Sequence, residues 1–197
     1  LTLALDRLAQ RKPQARVLAE RSPENIARIA EFHALFPRAR FVHVLRDPRD
    51  VAVSLWHHGE RLDPGSMPRR HRDSTTLART LLPQWARLVV AARSSATACG
   101  AEVLELRYED LHAQPHSACV RLFGFLGVDT DDRTVASAVA ASDFQALSGR
   151  RRGEVDAGSH FRAGVAGGWR EALGGWSASW IDATTRTVLA SLEYPPG

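Results

Sequence analysis

The sequence feature that most constrains the fold is the stretch from residue 40 to residue 54, where a short apolar run precedes signals for a helix start. Phe41–Leu45 combines aromatic and β-branched side chains, which is typical of a buried strand. Asp47 can cap a helix, Pro48 suits its first position, and Asp50 places a negative charge in its first turn. The stretch therefore predicts a strand that passes directly into a helix, with the helix ending near residue 58.

Arg46 lies at the junction of these two elements. In open α/β sheets, ligands bind beyond the carboxyl ends of the strands, and the N-terminus of a helix attracts anions. Ser54 follows Asp47 by about two helical turns, so the two side chains share one helix face. We therefore expect Arg46 and Ser54 to close on one anion. The alternative is that Arg46 pairs with Asp47 or Asp50 while Ser54 only packs.

The remaining pattern predicts an α/β fold with a parallel sheet flanked by helices, in a single domain over residues 1–197. Strands are expected at residues 16–19 and 103–108. The glycine-rich stretch 142–175 predicts a long loop. Helices are expected over residues 1–11, from a Ser22 cap and Pro23 to residue 36, over 77–98 with a kink at Pro83, over 117–126, from a Thr130 cap to about 141, and from Ser177 onward.

Composition narrows the classes of function. The chain of 197 residues is 44% hydrophobic and 24% charged, which are globular values, and its net charge of +4 favours an anionic ligand. Cys99 and Cys119 have neither metal spacing nor a disulfide framework, which favours a reducing, cytoplasmic compartment. The histidines are not spaced as metal ligands, and no apolar run reaches the ~18–20 residues of a membrane span. Basic runs at 69–72 and 150–152 match no recognised nucleic-acid module, so nucleic acid is not an expected partner.

Three stretches, in this order, resemble the sulfotransferases that use 3′-phosphoadenosine 5′-phosphosulfate (PAPS). They are residues 36–54, residues 106–111 with the later run 123–127, and residues 160–170. The resemblance extends over about residues 16–172. It implies a P-loop-NTPase-like sulfotransferase architecture, PAPS as co-substrate, no metal, and transfer of a sulfuryl group to a hydroxyl or amine on a small molecule or glycan.

The resemblance also implies roles for individual residues. Arg46 and Ser54 would hold the 3′-phosphate, in agreement with the reasoning from the strand–helix junction. Tyr108 would approach the adenine. Arg162 and the backbone of Gly164 would add donors to the same phosphate, since arginine–phosphate bonds are strong and glycine permits close approach. Trp169 would anchor the last of the three stretches, a loop, in the core.

The chain departs from the family pattern at three places. Ala163 stands where the family has a lysine. Arg21 precedes Ser22 and Pro23 where well-known members have lysine, threonine and a histidine base; Arg21 could stabilise charge on a departing phosphate, but no base follows it. Residues 1–40 contain no glycine-, serine- and threonine-rich loop for the 5′-phosphosulfate.

These departures lead us to expect the carboxyl-terminal part of a sulfotransferase domain, without its first strand and phosphate loop. We expect the isolated chain to be inactive or poorly soluble. The alternative is a catalytically inactive nucleotide-binding relic or regulatory module.

Overall fold

The computed structural model describes residues 10–11, 13–15, 17–63, 65, 71–151, 153–154 and 165–195. Two strands and nine α-helices lie in these ranges, together with two short 3₁₀ helices. The strands are β1 (Phe41–Leu45) and β2 (Val103–Arg107), and the 3₁₀ helices are Pro23–Arg28 and Ala178–Trp180. The α-helices are α1 (Ile29–Leu35), α2 (Pro48–Leu62), α3 (Ser74–Cys99), α4 (Tyr108–Ala113), α5 (Pro115–Leu126), α6 (Asp132–Ala141), α7 (Phe144–Ser148), α8 (Trp169–Ala172) and α9 (Ala183–Ser191).

The two described strands run parallel, with Phe41 opposite Val103 and Leu45 opposite Arg107. This pairing confirms the predicted parallel sheet. Because both strands end at the same register, Arg46 and Tyr108 leave the sheet side by side at its carboxyl edge. The register therefore places two residues from distant parts of the sequence at one point.

The predicted strand–helix junction is confirmed in detail. Asp47 caps α2 by accepting a hydrogen bond from the backbone N–H of Arg49 at 3.0 Å, and Pro48 is the first helical residue. Helix α2 continues to Leu62, about one turn beyond the expected end. The junction formed because every local signal, from the apolar run to the cap and the proline, favours the same structure.

Helix α3 is the longest described element, and it packs against α1, α2 and α9. It begins at Ser74 rather than residue 77, because Asp73 accepts from the backbone N–H of Thr76 at 2.7 Å and caps it. The helix continues through Pro83. The main core lies between α2, α3, α9 and the late segment around Trp169, and its fully buried members are Leu45, Ala52, Val53, Ala78, Leu82, Ala86, Val89, Leu173, Val188 and Leu189.

Three sequence predictions of local structure are wrong. The described part of the strand predicted at residues 16–19, residues 17–19, is not a strand; Val17 and Leu18 are each 43% exposed, and none of the described residues pairs with this segment as a strand. Asp131, not Thr130, caps α6, because the carboxylate accepts from the backbone N–H of Thr134 at 3.0 Å. Ser177 caps only a short 3₁₀ helix, and α9 begins later.

Two other predictions are only partly met. Ser22 does not cap the helix that follows it; its hydroxyl donates to Glu20, and the helix opens with 3₁₀ geometry. The described parts of the glycine-rich stretch include α7 and α8, so this stretch is not wholly irregular.

Most of the helix expected over residues 1–11 lies outside the described residues. Within the described ranges, every helix is too short or too polar to span a bilayer.

A fully buried arginine, Arg49, lies at the start of α2 with 0% exposure. Its guanidinium donates to both carboxylate oxygens of Asp47, at 2.9 and 2.7 Å, and to the carbonyl of Pro195 at 2.7 Å. The guanidinium carbon also lies 3.7 Å from the ring centroid of Trp169. Arg49 therefore links the strand–helix junction, the late segment and the end of the chain.

A second ion pair joins the sheet to α3. Arg93 donates to both carboxylate oxygens of Glu105 on β2, at 2.9 and 2.7 Å, and the Nδ1 atom of His43 on β1 lies 3.7 Å from the same carboxylate. The His43 ring and the Arg93 guanidinium lower the pKa of Glu105 to about 2. This group therefore remains ionised well into the acid range.

We expect Arg49→Ala to lower the free energy of unfolding by about 3–5 kcal/mol, because it leaves the buried Asp47 carboxylate without its counter-charge. Urea denaturation followed by tryptophan fluorescence measures the change. Arg121→Ala, at an exposed position on α5, is the control and should change stability by about 0.5 kcal/mol or less. An Arg49→Ala protein as stable as this control would contradict the structural role of the buried guanidinium.

We expect Glu105 to contribute to stability only when it is ionised. Its folded pKa, about 2, lies below the ordinary value of 4.5, so the contribution is present above pH ~4.5 and is lost as pH falls towards 2. After allowance for solvent screening we expect about 1–2 kcal/mol. Unfolding free energies of wild type and Glu105→Gln, measured across this range, should converge at low pH. Glu102→Gln, at an exposed carboxylate, should show no comparable convergence.

Candidate anion-binding site

Arg46 occupies the centre of the candidate site, directly after β1. One Nη atom donates to the carbonyl of Val165 at 3.3 Å, and the guanidinium carbon lies 4.5 Å from the ring centroid of Tyr108. The Nε atom is buried and has no acceptor among the described residues. A buried N–H without an acceptor is energetically costly, so this donor is a good candidate for contact with a bound anion.

Tyr108 is the second predicted residue that the structure places in the site. It is half-buried and is the first residue of α4, one residue beyond the observed end of β2. Its ring contacts the Arg46 guanidinium and also lies 4.3 Å, centroid to centroid, from the ring of His112. The structure therefore brings Arg46 and Tyr108 together, as the parallel register requires.

Ser54 lies in the second turn of α2 and is exposed to solvent. Its position seven residues after the Asp47 cap places it on the same side of the helix as that cap. Its hydroxyl is therefore accessible to a ligand that approaches along this side of α2.

Arg21 is exposed and immediately precedes the first 3₁₀ helix. In the part of the chain that the structure describes, no hydrogen bond, ion pair or ring contact joins Arg21 to Arg46 or Tyr108. The other two predicted residues, Arg162 and Gly164, lie outside the described residues. The described chain resumes at Val165, whose carbonyl contacts Arg46.

The carboxylates near Arg46 have other partners. Asp47 accepts from Arg49, and Asp50 accepts from two backbone N–H groups, those of Gly167 at 2.6 Å and Trp169 at 2.9 Å. Burial raises the pKa of Asp50, while these two hydrogen bonds and the charge of Arg46 act in the opposite direction. No carboxylate among the described residues forms an ion pair with Arg46, in contrast to the alternative that Arg46 pairs with Asp47 or Asp50.

Sequence reasoning missed the supporting roles of Glu109 and Tyr194. One oxygen of the Glu109 carboxylate accepts from the backbone N–H of Asp47 at 3.0 Å, and the other accepts from the Tyr194 hydroxyl at 2.7 Å. The same hydroxyl lies 3.4 Å from the carbonyl oxygen of Leu45. Burial and the neighbouring Glu109 raise the pKa of Tyr194, so it remains a neutral donor. These contacts fix the backbone on both sides of Arg46.

This arrangement suits recognition of an anion by a side chain. It combines a guanidinium that has no ion-pair partner among the described residues with an aromatic ring beside it. Ser54 lies on the helix that follows, and no contact among the described residues joins its hydroxyl to Arg46 or Tyr108. In the described ranges, no three His, Cys, Asp or Glu side chains come together in a way that could hold a metal ion. The geometry fits a phosphate that is bound by charge-assisted hydrogen bonds.

Comparison with known proteins gives results that agree with one another. The model of the sulfotransferase family matches residues 2–132. Two curated relatives from Arabidopsis thaliana are similar: cytosolic sulfotransferase 12, 27% identical over 74% of this chain and 48% of that protein, and cytosolic sulfotransferase 13, 24% identical over 79% and 53%. The chain thus spans about half the length of the curated relatives it matches.

A solved structure shares the fold. The crystal structure of mouse sulfotransferase SULT7A1 complexed with PAP aligns with a TM-score of 0.52 at 18% identity, over 78% of this chain and 56% of the mouse chain. This similarity confirms the predicted fold class, a helix-flanked parallel sheet of the sulfotransferase type. Because the family model covers about two-thirds of the sequence, including β1, α2, β2 and Tyr108, the chain belongs to the sulfotransferase family.

Proposed function

We propose that this chain provides the part of a sulfotransferase that binds the 3′-phosphate and adenosine of PAPS, and that the protein transfers a sulfuryl group from PAPS to a hydroxyl or amine. The acceptor would be a small molecule or glycan, and the reaction would take place in the cytoplasm. Membership of the family supports the reaction class. The observation that carries the assignment of the site is Arg46, whose buried Nε lacks an acceptor among the described residues.

The 3′-phosphate would bind to Arg46 and Ser54. The Nε atom and one Nη atom of a guanidinium can donate in parallel to two phosphate oxygens, which gives both strength and direction. Because the Tyr108 ring and the Val165 carbonyl already hold the guanidinium, little side-chain entropy would be lost on binding. Ser54 would donate a third hydrogen bond from α2. Arg162 and Gly164 remain predicted contributors to the same phosphate.

The adenine would bind near Tyr108. Arg46 and His112 already lie close to the tyrosine ring, so adenine would contact the part of the ring that these two side chains leave uncovered. Tyr108 thus has two roles in the proposal: it holds Arg46 and it borders the nucleoside.

Transfer itself requires in-line positioning and positive charge around the sulfuryl group and the leaving phosphate. We assign the exposed Arg21 the role of stabilising charge on the departing phosphate. Removal of the acceptor proton requires a base, and we assign none within this sequence.

A second candidate is a nucleotide-binding module without catalytic activity. Among the described residues, no contact joins Arg21 to Arg46 or Tyr108, and this favours the second candidate. Both candidates predict binding of adenosine 3′,5′-bisphosphate (PAP). Only the sulfotransferase candidate predicts sulfuryl transfer, and the assay for it must use a protein as long as the curated sulfotransferases.

We expect Arg46→Ala to weaken PAP binding by about 10- to 100-fold, because hydrogen bonds to a charged group contribute about 1.5–3 kcal/mol. Titration calorimetry with PAP and with adenosine 5′-monophosphate (AMP), which lacks the 3′-phosphate, measures the effect. AMP binding should change much less. Arg40→Ala removes an exposed arginine that pairs with Glu102, and it is the matched control. Equal affinity of Arg46→Ala and wild type for PAP would refute the site.

We expect Ser54→Ala to weaken PAP binding by about 2- to 10-fold, because one hydrogen bond from a neutral hydroxyl contributes about 0.5–1.5 kcal/mol. The affinity for AMP should not change. Ser94→Ala, at another exposed helical serine, serves as the control for loss of a surface hydroxyl. If Ser54→Ala changes the affinities for PAP and AMP equally, the hydroxyl does not contact the 3′-phosphate.

A further inference from the structure

We propose that Asp50 is a positioning residue for the 3′-phosphate site: it holds the segment Val165–Trp169 against the first turn of α2, and this segment in turn orients Arg46. The inference rests on the proposed function, since it concerns the recognition of the same phosphate. From the sequence, Asp50 is expected either to place a favourable charge at the start of a helix or to pair with Arg46.

The first step is the contact between Asp50 and the segment. Asp50 is 4% exposed, and its carboxylate accepts from the backbone N–H of Gly167 at 2.6 Å and from that of Trp169 at 2.9 Å. Each oxygen thus binds one amide. Two charge-assisted hydrogen bonds from alternate residues fix the position and orientation of this backbone.

The backbone conformation of the segment adds a further constraint. Gly167 has a φ of +81°, a left-handed conformation that other residues rarely adopt. The Trp169 ring packs on the buried Arg49. The segment is therefore held on α2 at both its backbone and its aromatic side chain.

The second step leads from the segment to Arg46. The carbonyl of Val165 accepts from an Nη atom of Arg46 at 3.3 Å, only two residues before the Gly167 amide that Asp50 holds. Tyr108 contacts the guanidinium as well. Loss of the hydrogen bonds to Asp50 would free the Val165 carbonyl and allow the guanidinium to rotate away from the geometry that suits a phosphate.

Removal of the Asp50 charge distinguishes the positioning role from a purely electrostatic effect on the phosphate. A carboxylate near an anion site repels a phosphate, and it also offsets part of the charge of Arg46. If charge alone mattered, removal of the carboxylate would strengthen binding of the 3′-phosphate. If Asp50 acts by positioning the segment, removal would weaken it. The sign of the change therefore separates the two roles.

The experiment compares PAP with AMP on the 197-residue chain and two variants. Asp50→Asn keeps the shape but removes the charge and one acceptor, and Asp50→Glu keeps the charge but displaces the carboxylate. We expect both to weaken PAP binding about tenfold, while the affinity for AMP stays within about twofold of wild type. Asp182→Asn, which changes a carboxylate that accepts the Thr185 amide at the start of α9, is the matched control.

The outcomes are distinct. Unchanged or tighter PAP binding in Asp50→Asn overturns the inference, as does an equal loss of PAP and AMP, which would indicate a general structural role. If Asp50→Asn does not fold, wild-type affinity of Asp50→Glu for PAP overturns it instead. When Arg46→Ala loses PAP discrimination but the Asp50 variants keep it, only this inference fails. When the wild type binds PAP no better than AMP, the proposed function fails with it.

Discussion

The buried Arg49 is the interaction on which the rest of the site depends. Its charge is removed from water entirely, which is unfavourable unless the guanidinium is well satisfied. Asp47, the Pro195 carbonyl and the Trp169 ring provide most of that compensation, while the buried Nη1 atom has no acceptor among the described residues. These partners come from three separate parts of the chain. Because an incomplete set would leave a buried charge without partners, these parts must assemble together. Arg46, three residues earlier, is thereby attached to a rigid support.

The carboxylates near Arg46 are paired in a way that would leave its guanidinium available to a ligand. Three acidic side chains lie close to the junction, and each has partners other than Arg46: Asp47 binds Arg49, Asp50 binds two backbone amides, and Glu109 binds a backbone amide and a tyrosine hydroxyl. Among the described residues, Arg46 contacts a carbonyl and an aromatic ring, which orient its guanidinium without neutralising it. The same region can therefore be rich in acidic residues and still attract an anion.

The sequence predicts the contacts between residues close together in the chain, but not those between residues far apart. The β1–α2 junction could be predicted because Phe41–Leu45, Asp47 and Pro48 carry independent signals within a few residues. The contacts of Glu109 with Asp47, and of Asp50 with Trp169, join residues 62 and 119 positions apart, and a single sequence carries no pattern that pairs them. The errors at Thr130 and Ser177 have another cause. At the first, the adjacent Asp131 provides the cap in place of Thr130. At the second, Ser177 caps only a short 3₁₀ helix, and Asp182 caps the separate helix α9 that follows it.

The capping of α2 also changes the physical account of how an anion would bind. A helix N-terminus attracts anions through its free amides and its dipole, but here the Asp47 carboxylate already accepts from the Arg49 amide, and Asp50 adds a second negative charge in the first turn. Both effects reduce the attraction of the helix N-terminus for a phosphate. Affinity must then depend mainly on the Arg46 guanidinium and the groups that orient it. Small displacements of that guanidinium should matter more at this site than at one built from helix amides.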